Sequence, residues 1–213
     1  MNDAAGDRTS SDLPAGTRER MLHLAIATIE EHGEAAVRVR EVSDATGVSF
    51  ASLYHFFGSR EGLVEAALAE MYSRSLREVN AAVADMVNTS TTLAEFIEGG
   101  RRVSLLAYDP ARASARSTRL RVLGGLAGRP KLAARLAVEQ HAANLELASI
   151  LGVAQQRGWL KPNLDLVTLA AWLTGLTFGR AIVEVAPEGI DLGAWNEMSI
   201  AALLAVCIDM TER

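Results

Sequence analysis

Ser49, Phe50, Ser52, Tyr54 and His55 gather two hydroxyls, a phenol, an imidazole and a phenyl ring within seven positions, with Arg38, Arg40, Ser59 and Arg60 flanking them. Hydroxyl, imidazole and guanidinium groups bond phosphate oxygens and base edges, and a phenyl ring can lie against a thymine methyl or a sugar. That is the chemistry of a nucleic-acid groove. Catalytic chemistry has no comparable support: phosphate-loop, dinucleotide and H-E-x-x-H patterns are absent, no Ser/His/Asp or Cys/His arrangement stands out, and no catalytic residue is assigned. No metal or cofactor is expected either. The residues three before His23, His32, His55 and His141 are Arg20, Ile29, Ser52 and Val138, so the E-x-x-H of a di-iron bundle is missing, and nothing at ligand spacing accompanies His55.

Such groups need a frame that turns one face outward, and residues 39–57 (VREVSDATGVSFASLYHFF) predict one. A short helix with Val39, Val42 and Ala45 on one face meets Gly47, which can take the left-handed conformation that ends a helix. Val48 turns inward and Ser49 caps a second short helix, anchored by Leu53, Phe56 and Phe57. Two short helices around a glycine turn describe a helix-turn-helix, whose second helix enters the major groove. Val37 to Arg40 also alternates in the manner of a strand, although Val39, Val42 and Ala45 fit one helical face. From 37 to 60 three arginines oppose Glu41 and Asp44, so helix N-termini at Ser49 and Ser59 are expected to help hold phosphates.

Residues 17–68 closely resemble the DNA-binding segment of TetR-type (tetracycline-repressor-like) transcriptional regulators. The shared features are EHG at the end of the first helix, VREV opening the second, GVS at the turn, LYHFF in the recognition helix and Ser-Arg-Glu opening the connecting helix. The resemblance implies a repressor that binds a palindromic DNA operator as a homodimer and is released by a small-molecule effector. It implies a phosphate contact for Tyr54, where the residue pattern alone allows a half-buried tyrosine packed on the first helix. Two positions depart from the family: Arg38 stands where a Thr or Ser cap is common, and Phe50 where Lys or a small polar residue is common. An unusual operator preference is expected.

The whole chain of 213 residues has 49% hydrophobic residues and a net charge of −5, enough for a real core and too acidic for a generally cationic surface. An all-α fold is predicted: a polar arm at 1–16, a helix-turn-helix DNA-binding domain at 17–60, and a helical ligand-binding and dimerisation domain at 61–213. Helices are expected from Thr17 to about His32, and then at about 39–46, 49–57, 60–87, 92–107, 110–126, 130–157, 164–185 and 191–210. The five prolines all fall between these segments, and Asp109-Pro110 reads as a cap followed by the first helical residue. The first 16 residues lack a secretory pattern, Cys207 is the single cysteine, and only 14 residues separate Asp165 from Arg180, so a cytoplasmic chain with no membrane span is expected.

Two further features stand out. Between 110 and 138, Arg112, Arg116, Arg119, Arg121, Arg129, Lys131 and Arg135 occur with no acid among them. Either this is an anion site or it is a solvated basic face paired with acidic neighbours, the second being the simpler reading. The segment 164–210 is apolar around most of its circumference, including the Gly175/Gly179 pair. A stripe through Leu192, Trp195, Ile200 or Ser199, Leu203, Val206 and Met210 adds a face that a homodimer interface would cover, with Cys207 packed there as a small apolar residue rather than a redox sensor. Candidate effector contacts are Tyr72, Phe96, Arg102, Leu106, His141, Asn144, Trp172 and Phe178. A helical adaptor acting through protein contacts, or a helical enzyme, is the alternative.

Overall fold

A computed structural model describes residues 16–208. Apart from Gly16, the arm expected at 1–16 lies outside the described residues, as does Met210. Among the described residues all regular structure is helical: α1 Thr17–His32, α2 Val39–Thr46, α3 Phe50–Phe57, α4 Arg60–Thr89, α5 Leu93–Tyr108, α6 Ala113–Gly124, α7 Pro130–Gln156, α8 Leu166–Val183 and α9 Leu192–Cys207. Two compact units divide within α4, one up to Met71 and the other from Tyr72.

In the first unit α1 lies on α2 and α3, and Met21, Ala25, Ile29, Val37, Val42 and Leu53 are almost completely buried. The alternation at Val37–Arg40 has a different cause from a strand. Val37 and Arg38 are extended and link a 3-10 turn at Glu34–Ala36 to α2, which buries Val37 without any partner strand. Ala45, expected on the inner face, is exposed. Only Val42 is fully buried there, because so short a helix turns too few positions inward.

In the second unit α7 runs along α8, α6 also rests on α8, and α5 meets α9. Its core includes Val83, Val87, Phe96, Leu147, Leu151, Leu169 and Ala170. The helix expected at 110–126 is divided. Asp109 accepts from the Ala111 amide at 2.8 Å, and Pro110 opens a 3-10 turn before α6 begins at Ala113. At the far end α9 stops at Cys207, whose carbonyl accepts from the Lys161 amide at 2.9 Å, while the Lys161 ammonium donates to the Ala205 carbonyl at 2.7 Å.

The 18-residue helix α8 is, by length and composition, apolar enough to cross a membrane, a wider window than the count ending at Arg180. Inside that window, however, Arg180 is 2% exposed and bonded to Glu184. Val167, Ala171, Gly175 and Ile182 form an exposed row along α8, and Ala194, Met198, Ala202 and Ala205 another along α9. The α9 row differs from the stripe expected for the interface: Ile200 is buried, Trp195 sits edge-on to Tyr108 and Leu203 packs on the core. Alanines make up most of the exposed side of this helix, where Met198 and, from the expected stripe, Val206 also stand outward, while Trp195, Ile200 and Leu203 turn inward.

Cys207 is buried, and desolvation pushes its thiol up to about 11, with Lys161 opposing. The thiolate is the nucleophile, so at about pH 7.5 the folded protein is expected to resist iodoacetamide and to react promptly once denatured. Mass spectrometry of the alkylated chain reads this directly; fast labelling of the folded protein contradicts it.

Candidate nucleic-acid interface

The turn between α2 and α3 is built by local bonds. Gly47 has φ 67° and ψ 22°, and its amide closes α2 on the Ser43 carbonyl. The Val48 amide returns to the same carbonyl at 3.1 Å, while the Ser43 hydroxyl donates to the Val48 carbonyl. Val48 is thereby tucked inward. Ser49 then caps α3, its Oγ accepting from the Ser52 amide at 3.2 Å and lying 2.9 Å from the Ser52 hydroxyl.

This geometry sorts the expected site residues into two groups. Phe50 and Tyr54, one turn apart, are 47% and 50% exposed, and His55, Arg38 and Arg40 are exposed as well. Leu53, on the opposite side of α3, has no exposure, so the polar edge of the helix faces outward. Arg40 carries a loose ion pair to Asp44 at 3.8 Å, one turn along α2, that a phosphate could displace. Arg38 is the extended residue before α2, where a guanidinium, having no acceptor, cannot cap the helix, and it is exposed to solvent.

Ser59 and Arg60 do something else. Ser59 Oγ accepts from the Gly62 amide at 2.9 Å and so holds the start of α4. Arg60 donates through Nε to the Val37 carbonyl at 2.8 Å and through Nη2 to the Glu34 carbonyl at 2.6 Å, and its Nη1 approaches Glu61 at 3.3 Å. Its guanidinium therefore clamps the segment before α2, where the sequence reading has it at the rim of a groove. Those carbonyl partners lie 26 and 23 residues earlier, so no local pattern shows them. Arg18, which no motif in the sequence singles out, lies over the Phe57 ring at 5.3 Å.

The second unit holds two adjoining cavities. One, of about 90 Å³, is bordered by Asn80, Tyr108, Arg119, Gln140, Asn144 and Thr177 among others; the second, of about 100 Å³, is bordered by Met86, Phe96, Leu151, Leu169 and Cys207. They share Val83, Val103, Ser104, Leu173 and Leu203 as a common wall. Of the expected effector contacts, Asn144 lines the first and Phe96 the second. Tyr72 is buried and donates to Gln140 Oε1 at 2.6 Å, Trp172 packs against the core, and Phe178 lies beneath the Arg119 guanidinium at 4.8 Å. Arg102, Leu106 and His141 are exposed and line neither cavity; Arg102 reaches only toward Glu98, at 3.7 Å.

The basic segment departs from a solvated face. Arg121, Lys131 and Arg135 are exposed, and Arg112 faces Glu78 at 3.7 Å, but Arg116 and Arg119 are only 4% and 9% exposed. Arg116 donates to Glu184 through both Nε and Nη2 and to the carbonyls of Ala107 and Asp109. The hydrogen bond from Arg116 holds the Glu184 carboxyl below the ordinary carboxylate range against the opposing effect of burial, and the charges of Arg116 and Arg180 add to it. Among the described residues no cluster of three His, Cys, Asp or Glu side chains forms a metal site.

Comparison with known proteins adds three findings. Residues 21–67 match the family described as "Bacterial regulatory proteins, tetR family". The chain is 39% identical over 57 residues to the HTH-type transcriptional repressor KstR2 of Mycolicibacterium smegmatis, a match that spans 27% of this chain and only 28% of that repressor. It is 28% identical over 194 residues to the HTH-type transcriptional repressor AcnR of Corynebacterium glutamicum, spanning 90% of this chain and 93% of the relative. A crystal structure of a TetR-family transcriptional regulator from Rhodococcus sp. shares the fold, with a TM-score of 0.63 at 23% identity over 91% of this chain and 99% of that one.

Proposed function

We propose, from the match of residues 21–67 to the tetR family of bacterial regulatory proteins, that the chain is a homodimeric, cytoplasmic transcriptional repressor that binds a palindromic DNA operator and releases it when a small molecule enters the helical body. The carrying observation is the orientation of α3: Leu53 anchors it from beneath while Phe50, Tyr54 and His55 stand outward. Tyr54, Arg38 and Arg40 hold phosphates in this reading, and Phe50, Ser52 and His55 meet base edges and sugars. A two-fold dimer then needs half-sites about 34–36 Å apart. The exposed apolar rows of α8 and α9 are the surfaces a second copy covers, forming a four-helix interface. The effector acts through α4, a single helix from Arg60 to Thr89 that carries Asn80 and Val83 to the cavity wall. An effector that favours the DNA-free arrangement shifts the population toward it.

Fluorescence anisotropy with a labelled duplex from the protein's own upstream region tests this. With Arg60 occupied, Arg38 and Arg40 are the main phosphate-facing cations, four over a dimer, so log K against log salt is expected to fall with a slope of roughly −4. Arg40→Ala should flatten the slope by roughly 2. Saturable binding as a monomer, or no binding at low salt with Arg38, Arg40 and Tyr54 intact, overturns the reading in favour of an adaptor.

A further inference from the structure

Three guanidinium groups in the second unit are at least nine-tenths buried: Arg116, Arg119 and Arg180. One carboxylate, Glu184, pairs with Arg116 and Arg180. Arg119 has none. Its Nη2 donates to Thr177 Oγ1 at 3.1 Å and its plane lies over the Phe178 ring, but its buried Nε has no acceptor. The residues bordering the cavity beside it include no Asp or Glu. The nearby phenol of Tyr72 cannot serve as counter-ion, because burial raises its pKa and keeps the proton on an oxygen that already donates to Gln140. A buried cation without a partner is costly, and folded chains keep few of them. Burial is the largest influence and disfavours its charge; the nearby Tyr72 oxygen opposes this in part, and the neighbouring Arg116 adds to the cost.

Beyond the shared wall of Val83, Val103, Leu173 and Leu203 lies the second, apolar compartment. We propose that these adjoining cavities form one amphipathic site for a small monocarboxylate, whose carboxylate accepts from Arg119 and whose ring or short chain fills the space beside Phe96 and Leu169. This rests on the effector reading above and names the chemical class of the effector. One guanidinium presents a planar fork suited to a carboxylate, and the excess positive charge around Glu184 discriminates against cations. Neither compartment alone reaches the ~150 Å³ that accommodates benzene, but joined across their shared wall they modestly exceed it, so the ligand is no larger than a single ring or a short chain with its acid.

The test uses the full chain without DNA. Calorimetric titration compares phenylacetate and hexanoate with 2-phenylethanol and hexan-1-ol, which keep the apolar part and lack the charge. Each acid is expected to bind about tenfold or more tighter than its alcohol, the range of a charge-assisted hydrogen bond, and Arg119→Gln should erase that preference while leaving the alcohols within about threefold. Arg119→Met, melted without ligand, should keep or raise the Tm, since it removes an uncompensated buried charge. Equal binding of acid and alcohol, no binding of either acid, an acid preference surviving in Arg119→Gln, or a steep Tm loss in Arg119→Met overturns the proposal. Acid binding in a chain that ignores DNA would uphold Arg119 as an anion site and sink the regulator reading. DNA binding in a chain indifferent to the acids would do the reverse.

Discussion

Replacing Glu184 with glutamine is expected to lower the Tm by about 6–12 °C. The carboxylate receives two hydrogen bonds from Arg116 and one from Arg180, and both guanidinium groups are buried. Removing one partner of a buried ion pair costs about 3–5 kcal/mol, because the remaining charge is stranded. Glu184 keeps 18% of its side-chain surface, which places the loss near 3 kcal/mol, and at this chain length each kcal/mol moves the Tm by about 2–4 °C. The pH dependence carries a sign. A carboxyl whose pKa is depressed on folding stabilises the native state above its unfolded value, near 4.3, and loses that contribution as pH falls through the folded pKa. The gap between wild type and Glu184→Gln should therefore be full near neutrality and should close in acid. Melting curves from neutral pH down to about pH 3 measure it, and a gap that stays constant would show that Glu184 acts through packing alone.

Gly62→Ala should have the largest effect on DNA binding of any single methyl added to the protein. A Cβ on Gly62 would sit 1.9 Å from the Phe57 carbonyl oxygen, and that neighbour is backbone at the end of α3, unable to rotate aside. Alanine would gain about 1 kcal/mol of helix propensity, while overpacking costs about 1–3 kcal/mol or more, so modest net destabilisation is expected. The functional loss is larger, since relief requires moving the end of α3 against the start of α4. Each base contact so misplaced costs about 1–3 kcal/mol, and the operator Kd should rise at least about tenfold. Anisotropy titration at a temperature where circular dichroism shows the variant folded separates the two effects. An unchanged Kd would mean that α3 tolerates the displacement.

The local parts of this fold were legible from the residues. α2 begins and ends where the period and Gly47 place it, Ser49 caps α3, and Asp109 caps ahead of Pro110, although what it opens is a 3-10 turn rather than the expected helix. Each depends on residues within one helical turn. What escaped the reading depends on partners distant in sequence. Arg116 and Arg119 look solvated because arginine ordinarily is, and the counter-charge that makes the burial of Arg116 tolerable is Glu184, 68 residues away. Arg60 looks like a phosphate ligand until the carbonyls of Glu34 and Val37 are brought beside it. In α9 the alanine-rich sequence is apolar on both sides, so periodicity locates a stripe without saying which side turns inward. The cavity residues Arg119, Gln140 and Thr177 lie on three different helices, and no spacing rule links them.

The grip of Arg60 on the chain ahead of α2 has a mechanical corollary. Two carbonyls just upstream of Arg38 hang from the first residue of α4, and Ser59 fastens the same turn from the other side. Any swing of that turn must carry Arg38, Arg40 and the exposed edge of α3 along as one rigid piece. A few degrees at the base of the lever would then reposition all of these exposed groups together, without unravelling any of them.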